Sequence, residues 1–515
     1  MGRFKPYDYS QLMMVPVSLE NQLMPGTLEN AIHYVIEERI DMSVFDARYR
    51  NDETGRKAYD PKVLLKVVLF AYSRGILHSR RIERACKENI TFMALACGQA
   101  PDHSTVAAFV SSMGTKELTG LFMQVLLVCE QEGLLGGTHF SLDGMKLAGN
   151  ASKEWSGNHA ELLKKKEKLE RKVKEAIRAH RASDRRGDEG DEQRQQKRIR
   201  DLKREAERIE QFLKKTQPKR GCRGKEIQDN ITDSESGKMI SSHGVIQGYN
   251  ANALVDEKNQ VVVHAEAFGE GNDATLMEPM LAGAERNLKA AGLGEEPLKH
   301  KVVTADTGYF SIDNLEACQA AEVDAYVPDR AFRSRDPRFA NSRRHRRSVD
   351  KHKQKYKSKR RWFGPHDFRF DDRTKTLICP AGHGLYKNGK AYECHGYTAV
   401  SYKAPKRACR DCPLRAKCLR HPHTPARQVR LFSDKRPGSI TDAMKAKVDT
   451  PQGRAIYGRR LANVEPVFAN IRAQKRMDRF TLRGRQKVNV QWTLFCLVHN
   501  IEKIQNYGER YAKAS

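Results

Sequence analysis

The sequence predicts a mixed α/β protein in which an interrupted α/β core follows an all-α N-terminal domain. Residues 1–135 carry apolar side chains at helical spacing, whereas alternating, strand-like patterns begin at Gly136. Two long insertions, one charged and helical and one basic and cysteine-rich, interrupt the strand pattern. We therefore expect four regions, with these boundaries: 1–135, 136–329 with a helical arm at 155–220, 330–445, and 446–515.

Composition excludes several classes of protein. The 515 residues are 39% hydrophobic, which excludes a wholly disordered chain. No apolar run approaches the roughly 18 residues that a membrane helix needs, and the N-terminus lacks the apolar core of a signal peptide. The 11 cysteines are an odd number and unevenly spread, which favours a reducing cytosol. We therefore expect a cytoplasmic protein without a membrane partner.

The net charge of +29 is concentrated in the C-terminal third. Residues 1–329 sum to −3, whereas residues 330–515 sum to +32. Such asymmetry favours a polyanionic partner, and nucleic acid fits best, although a merely soluble basic surface is the alternative. If the N-terminal domain binds DNA, it must use a local patch, because its net charge offers no help.

The sequence does not decide between two roles for each of the two helical regions. In the N-terminal domain, Asp60-Pro61 predicts a capped helix start, and the domain serves either as packing support or in DNA-end recognition and dimerisation. In the arm, two charged helices flank a polar break at 184–191. A solvated arm is the simpler interpretation, and contact with nucleic acid is the alternative.

The order of elements in the core predicts a ribonuclease H-like fold. A strand ending near Asp143 is followed, beyond the arm, by a strand hairpin, a helix, a strand ending at Asp306, a helix and a last strand. In that fold the first and fourth strands are neighbours. Asp143 and Asp306 would then meet at one sheet edge, where two carboxylates repel unless a cation lies between them. Oxygen-only ligands suit Mg²⁺ or Mn²⁺.

A third carboxylate is expected on a later helix. Thr450-Pro451 predicts the helix start, and Glu465 follows among apolar residues, with Pro466 expected to bend the helix.

With these three acidic residues in place, the sequence resembles DDE transposases of bacterial insertion sequences, in the branch with a Y-R-E-K-type signature. The matching strings are Ser141–Gly144 with Asn150–Ser152, Ala305–Phe310 and Tyr457–Phe468. The stretch Pro101–Thr105 also resembles the end of that branch's leading helical domain. The resemblance spans nearly the whole chain.

The resemblance implies a function and a site. Asp143, Asp306 and Glu465 would bind two Mg²⁺ (or Mn²⁺) ions that serve cleavage at transposon ends and strand transfer into target DNA. Basic and aromatic side chains would contact double-stranded DNA. The residues expected to do so are Tyr457, Arg459, Arg460, Arg472, Lys475, Arg476, Arg343, Arg344, Arg346 and Arg347.

Two departures from the signature matter. The spacing from Arg460 to Glu465 is one residue longer than the tightest form, so Arg459 is an alternative for the arginine. Arg472 stands at the lysine position and would bind phosphate through a forked guanidinium rather than a point charge.

The cysteine-rich insertion predicts a structural zinc site. Cys409 and Cys412 form a close Cys-x-x-Cys pair, and Cys379 and Cys418 complete a set of four ligands. The reserve ligands are Cys394, His383 and His421. A redox Cys-x-x-Cys is the rival, but no thioredoxin-like strand precedes it. Nearby Trp362 either stacks on an unpaired base or packs on this module.

The expected function is thus a Mg²⁺-dependent DNA transposase, associated with the bacterial nucleoid and dimeric when bound to DNA. One rival is a DDE-type nuclease that cuts without strand transfer. The other is a catalytically silent DNA-binding regulator.

Overall fold

A computed structural model describes residues 17–49, 57–184, 192–220, 226–241, 244–339, 362–394, 397–421, 423–432 and 440–514. The chain divides into two compact units. The larger comprises residues 1–308, 320–325 and 458–515, and the smaller comprises residues 309–319 and 326–457. Among the described residues, no helix combines the length and apolar character needed to cross a membrane.

The N-terminal part of the larger unit is helical, as expected. Its helices are α1 (Leu28–Tyr34), α2 (Pro61–Ser73), α3 (Ser79–Glu88), α4 (Ile90–Leu95), α5 (His103–Ser111) and α6 (Thr115–Gln131). Asp60 caps α2 by accepting a hydrogen bond from the Lys62 amide. Residues 79–95 form two helices rather than one, because Asn89 leaves the helical conformation and caps α4 with its own side chain.

The central sheet has the order β4-β5-β1-β7-β8, and β6 also pairs with β5. Its strands are β1 (His139–Ala148), β4 (Gly237–Ser241), β5 (Gly244–Asp256), β6 (Val262–Phe268), β7 (Val302–Ala305) and β8 (Asp324–Tyr326). Strand β1 runs antiparallel to β5 and parallel to β7. The path β6-β5-β1-β7-β8 is compatible with a ribonuclease H-like core.

A helical arm is inserted between β1 and β5. It consists of α7 (His159–Asp184) and α8 (Glu192–Lys215), with β2 (Ser156–Gly157) and β3 (Asp229–Asn230) paired at its base. Leu162, Leu169 and Ile209 form a small apolar cluster between the two helices. The remaining exposed surface of the arm is dense in charge.

Further helices are α9 (Met277–Ala290), α10 (Ile312–Ala320), α14 (Pro451–Ala469) and α15 (Arg485–Tyr507). Apolar residues at helical spacing in the last of these, Val490, Leu494, Leu497 and Ile501, are 0–1% exposed. The Asn500 side chain bonds both the amide and the carbonyl of Val262, which fixes α15 on β6. A short helix, α16 (Glu509–Ala514), follows.

The smaller unit contains a second six-stranded sheet with the order β12-β13-β11-β10-β9, and β14 pairs with β13. These strands are β9 (Arg369–Asp371), β10 (Thr376–Ile378), β11 (Gly384–Lys387), β12 (Tyr392–Cys394), β13 (Tyr397–Lys403) and β14 (Gln428–Phe432). The helices in this part of the chain are α11 (Lys406–Arg410), α12 (Arg415–Cys418) and α13 (Ile440–Asp449).

Candidate active site

Two aspartates meet where the parallel pairing of β1 and β7 ends. Ala305, the last residue of β7, pairs with Leu142, so Asp306 follows directly beside Asp143. The hydroxyl oxygens of Ser141 and Thr304 lie 2.9 Å apart just before this point and hold the two strands in register. Contrary to the expectation that Asp143 ends its strand, β1 continues to Ala148, because β5 still pairs with it there.

Arg460 links the two carboxylates. Its Nη1 donates to Asp143 Oδ2 at 2.6 Å, and its Nη2 lies 3.9 Å from Asp306 Oδ1. The arginine side chain is only 7% exposed. One turn later on α14, Asn463 donates to Ser141 Oγ at 2.9 Å, which fixes this helix face on the sheet. The guanidinium cation of Arg460 thus occupies the position between Asp143 and Asp306.

Burial and charge compete at Asp143. Burial raises the pKa of this carboxyl, and the neighbouring Asp306 raises it further. The Arg460 guanidinium and the Gly144 amide, which donates to Asp143 Oδ1 at 2.8 Å, act in the opposite direction. Burial dominates, so the charged carboxylate is costly there and favours a strong counter-ion.

Glu465 does not join this pair. It is exposed on α14, and within the described part of the chain it has no hydrogen bond or ion pair. Five residues separate it from Arg460, which places the two side chains roughly 140° apart around the helix. Among the described residues, no group of three or more His, Cys, Asp or Glu side chains is arranged to hold a metal ion.

The residues expected to contact DNA differ in exposure. Arg459 is 62% exposed, with its Nη1 3.4 Å from Glu257 Oε2, and Arg476 is exposed as well. Arg472 is half-buried, and Tyr457 packs edge-on against Phe332. The four arginines at 343, 344, 346 and 347 lie outside the described residues.

The position of Lys475 does not fit the predicted contact with DNA. Its side chain is 1% exposed, and its ammonium group pairs with Glu502 and Asn470. Burial lowers its pKa, and Glu502 opposes that effect. An ammonium group enclosed in this way is not presented to a DNA phosphate.

The four predicted zinc ligands share one small cavity. Cys379, Cys409, Cys412 and Cys418 all line a space of about 20 Å³, together with His383. The His383 amide donates to Cys379 Sγ at 3.3 Å. Burial raises the pKa of the Cys418 thiol, and the other three cysteines raise it further, while Arg427 opposes them. The reserve His421 is exposed outside this cavity, and the side chain of Cys394 lies outside the described residues.

Sequence reasoning missed a polar cluster next to Asp306. Asn250, on β5, donates from its Nδ2 to Asp273 Oδ1 at 2.6 Å, and Asp273 lies in the loop before α9. The available signal was the pair Asn250 and Asn252, two amide side chains on one face of a strand that otherwise carries buried apolar residues.

Comparison with known families gives two matches. A model described as Transposase DDE domain matches residues 378–505, the stretch that carries the cysteines, Arg460 and Glu465. A second, described as Transposase domain (DUF772), matches residues 17–112. These matches support a DDE transposase of the insertion-sequence type.

A comparison with curated proteins gives no match. The two transposase models cover the N-terminal helical region and the C-terminal part of the chain, and leave Asp143 and Asp306 between them. The assignment of these two aspartates to the DDE site therefore depends on their strand positions.

Proposed function

We propose that this transposase cleaves DNA at transposon ends and joins the freed ends to target DNA in a metal-dependent reaction. The observation that carries the proposal is the Asp143–Asp306 pair, placed on adjacent parallel strands around a cation position. The two family matches support the transposase activity independently of this geometry.

The donor set at the sheet edge fits a hard divalent cation. Two carboxylates face one cation position, and burial makes an uncompensated charge at Asp143 costly. Bound Mg²⁺ or Mn²⁺, proposed as two ions, supplies activation of water or a DNA 3′-hydroxyl and stabilisation of the leaving oxygen. Asp143 and Asp306 hold the cation, and Glu465 is proposed as the third ligand on the strength of the signature resemblance.

Arginines would then position the DNA. Arg459 is exposed next to Arg460. Beyond Glu465, Arg472 is half-buried and Arg476 is exposed. Forked guanidinium groups bind phosphate oxygens in pairs. The Arg460 guanidinium would be available to a phosphate if Asp143 and Asp306 held a metal ion in its place. Tyr457 is proposed to orient the DNA strand.

The proposed partner is double-stranded DNA, so the protein would act at the bacterial nucleoid. Holding two transposon ends together calls for a homodimer.

The cysteine cavity is proposed as a structural Zn²⁺ site. The four cysteines line one small cavity, and two of them have the Cys-x-x-Cys spacing. The described side chains are not arranged around an ion, so the proposal depends on the spacing and the shared cavity. The expected result is one zinc per chain in purified protein, measured by elemental analysis. Four titratable thiols without zinc would contradict the site.

The central experiment measures strand cleavage and joining on DNA that carries the inverted repeats flanking the gene. Asp143→Asn, Asp306→Asn and Glu465→Gln should each abolish both products in Mg²⁺, with retained folding shown by circular dichroism. Undiminished cleavage by any of the three would overturn that residue's assignment. Cleavage without joined products would favour the nuclease, and binding without cleavage by the wild type would favour the regulator.

A further inference from the structure

A carboxylate outside the predicted triad stands next to Asp306. The Asp273 carboxylate packs so closely on the chain after Asp306 that a Cβ at Gly308 would lie 2.6 Å from Asp273 Oδ2. Real side chains do not approach that closely, so the residue at 308 must lack a Cβ for Asp273 to occupy this position. The Asn250 amide fixes the other carboxylate oxygen.

Asn250 lies in the protein interior rather than on the surface. It is fully buried, and its Oδ1 has no hydrogen-bond partner among the described residues. That oxygen would lie 2.9 Å from a Cβ at Gly144, the residue after Asp143. A buried amide oxygen without a donor is unfavourable for folding, so a cation or an ordered water is the natural partner for it.

The side chains near Asp306 come from both faces of the sheet. Side chains alternate along a strand, so Asp143 and its partner Arg460 lie on one face of β1, while Gly144 and Lys146 lie on the other. Lys146 pairs directly with Asn250 across the strands. Asp306, beyond the end of β7, is 46% exposed, lies 3.9 Å from Arg460 Nη2, and is near enough to Asp273 to raise the pKa of that carboxyl.

Opposing charges act on the Asp273 carboxyl. Burial raises the pKa of Asp273, and the nearby Asp306 raises it further, while the Asn250 hydrogen bond and Lys146 oppose them. Asp273 and Asp306 are thus close enough for their charges to interact. Two carboxylates and a donor-free amide oxygen form a set of oxygen ligands that suits a hard divalent cation.

We propose that Asp273, held by Asn250 and admitted by Gly308, is a further carboxylate ligand of the divalent cation bound at Asp306. The inference rests on the proposed metal-dependent function and adds a ligand to it from the opposite face of the sheet. Asn250 acts as a positioning residue through Asp273.

Direct Mn²⁺ binding to the full-length protein without DNA tests the proposal, with free Mn²⁺ followed by electron paramagnetic resonance. Asp273→Asn should weaken Mn²⁺ binding by about tenfold or more, as loss of a ligand or its support does. Gly308→Ala should also weaken it, because the new Cβ displaces the carboxylate without removing its charge. The matched control is Glu278→Gln, which removes an exposed acidic charge five residues further along and should leave binding unchanged.

Folding is controlled by thermal unfolding without metal. Asp273→Asn should match or exceed the wild type, because asparagine keeps the acceptor for Asn250 and removes a charge near Asp306. Wild-type affinity in Asp273→Asn, with binding lost in Asp306→Asn, would overturn this inference and leave the proposed function standing. A wild-type protein that holds no Mn²⁺ would overturn both.

Discussion

Arg460 and Lys475 come from one basic segment, and both are enclosed beside carboxylates. Lys475 is 1% exposed and closes a compact group with Glu502 and Asn470. Arg460 is 7% exposed but bridges two carboxylates, one of which is 46% exposed. The difference teaches that a buried cation in one basic segment can serve folding in one place and lie at the candidate active site in the other. The exposure of its carboxylate partners distinguishes the two roles.

The largest effect on stability is expected from Lys475→Ala. The substitution leaves Glu502 without its cation in a site where its side chain is 17% exposed, and breaking a buried pair in this way costs about 3–5 kcal/mol. Denaturant unfolding measures the loss. Cleavage per folded molecule should remain that of the wild type.

The control for that experiment is Lys487→Ala, which removes an exposed lysine from the same basic segment. Its effect should stay within about 0.5 kcal/mol. If Lys475→Ala instead weakened DNA binding and left stability unchanged, Lys475 would belong with the DNA contacts after all.

The burial of Lys475 shows where sequence reasoning stopped. A π-helix over Asn470–Gln474 follows α14, and the Lys475 amide bonds the Asn470 carbonyl five residues back. One extra residue in a turn rotates everything after it by roughly 100°, so helical periodicity assigns the wrong face to Lys475. By contrast, the order of β1, β5, β6, β7 and β8 was predictable from strand-like patterns and the turns between them, whereas β4 was not predicted.

The candidate site was predictable in part for the same reason. Asp143 lies within one recognisable strand and Asp306 directly follows another, so their meeting could be derived from topology. The Asn250–Asp273 contact joins a strand to a loop 23 residues later and carries no periodic signal. The role of Arg460 between the aspartates also depends on a long-range contact, 317 residues apart, that no local pattern reveals.

An intermediate effect is expected from Arg460→Gln. Its carboxylate partners are partly exposed, so the loss should be about 1–3 kcal/mol rather than the full cost of a buried pair. Without the guanidinium, the pKa of Asp143 rises further above its usual value. An acid with a raised pKa contributes its stability below the unfolded-state pKa and loses it as pH rises through the folded-state pKa. The penalty of Arg460→Gln should therefore grow from pH 4 to pH 7.

Added Mn²⁺ makes this test specific to the site. A divalent ion can take the position that Arg460 vacates, so Mn²⁺ at pH 7 should raise the melting temperature of Arg460→Gln more than that of the wild type. Lys475→Ala provides the comparison, because Mn²⁺ has no place in its enclosed group. Equal shifts in the two variants would show that the Arg460 position is structural, like that of Lys475.

The smallest effect on stability, with a measurable effect on DNA, is expected from Arg459→Gln. The side chain is 62% exposed and its distance to Glu257 is 3.4 Å, so the pair is screened by solvent and its loss should change stability by less than about 0.5 kcal/mol. If Arg459 contacts a phosphate, the substitution removes one released counter-ion, and the slope of log affinity against log salt should fall by about 1. Fluorescence anisotropy with labelled duplex at several salt concentrations measures that slope. An unchanged slope would remove Arg459 from the DNA contacts and leave the arginine of the signature to Arg460. Because Arg460 is buried beside the aspartates, the proposed function lets it bind DNA only after a cation has taken its place.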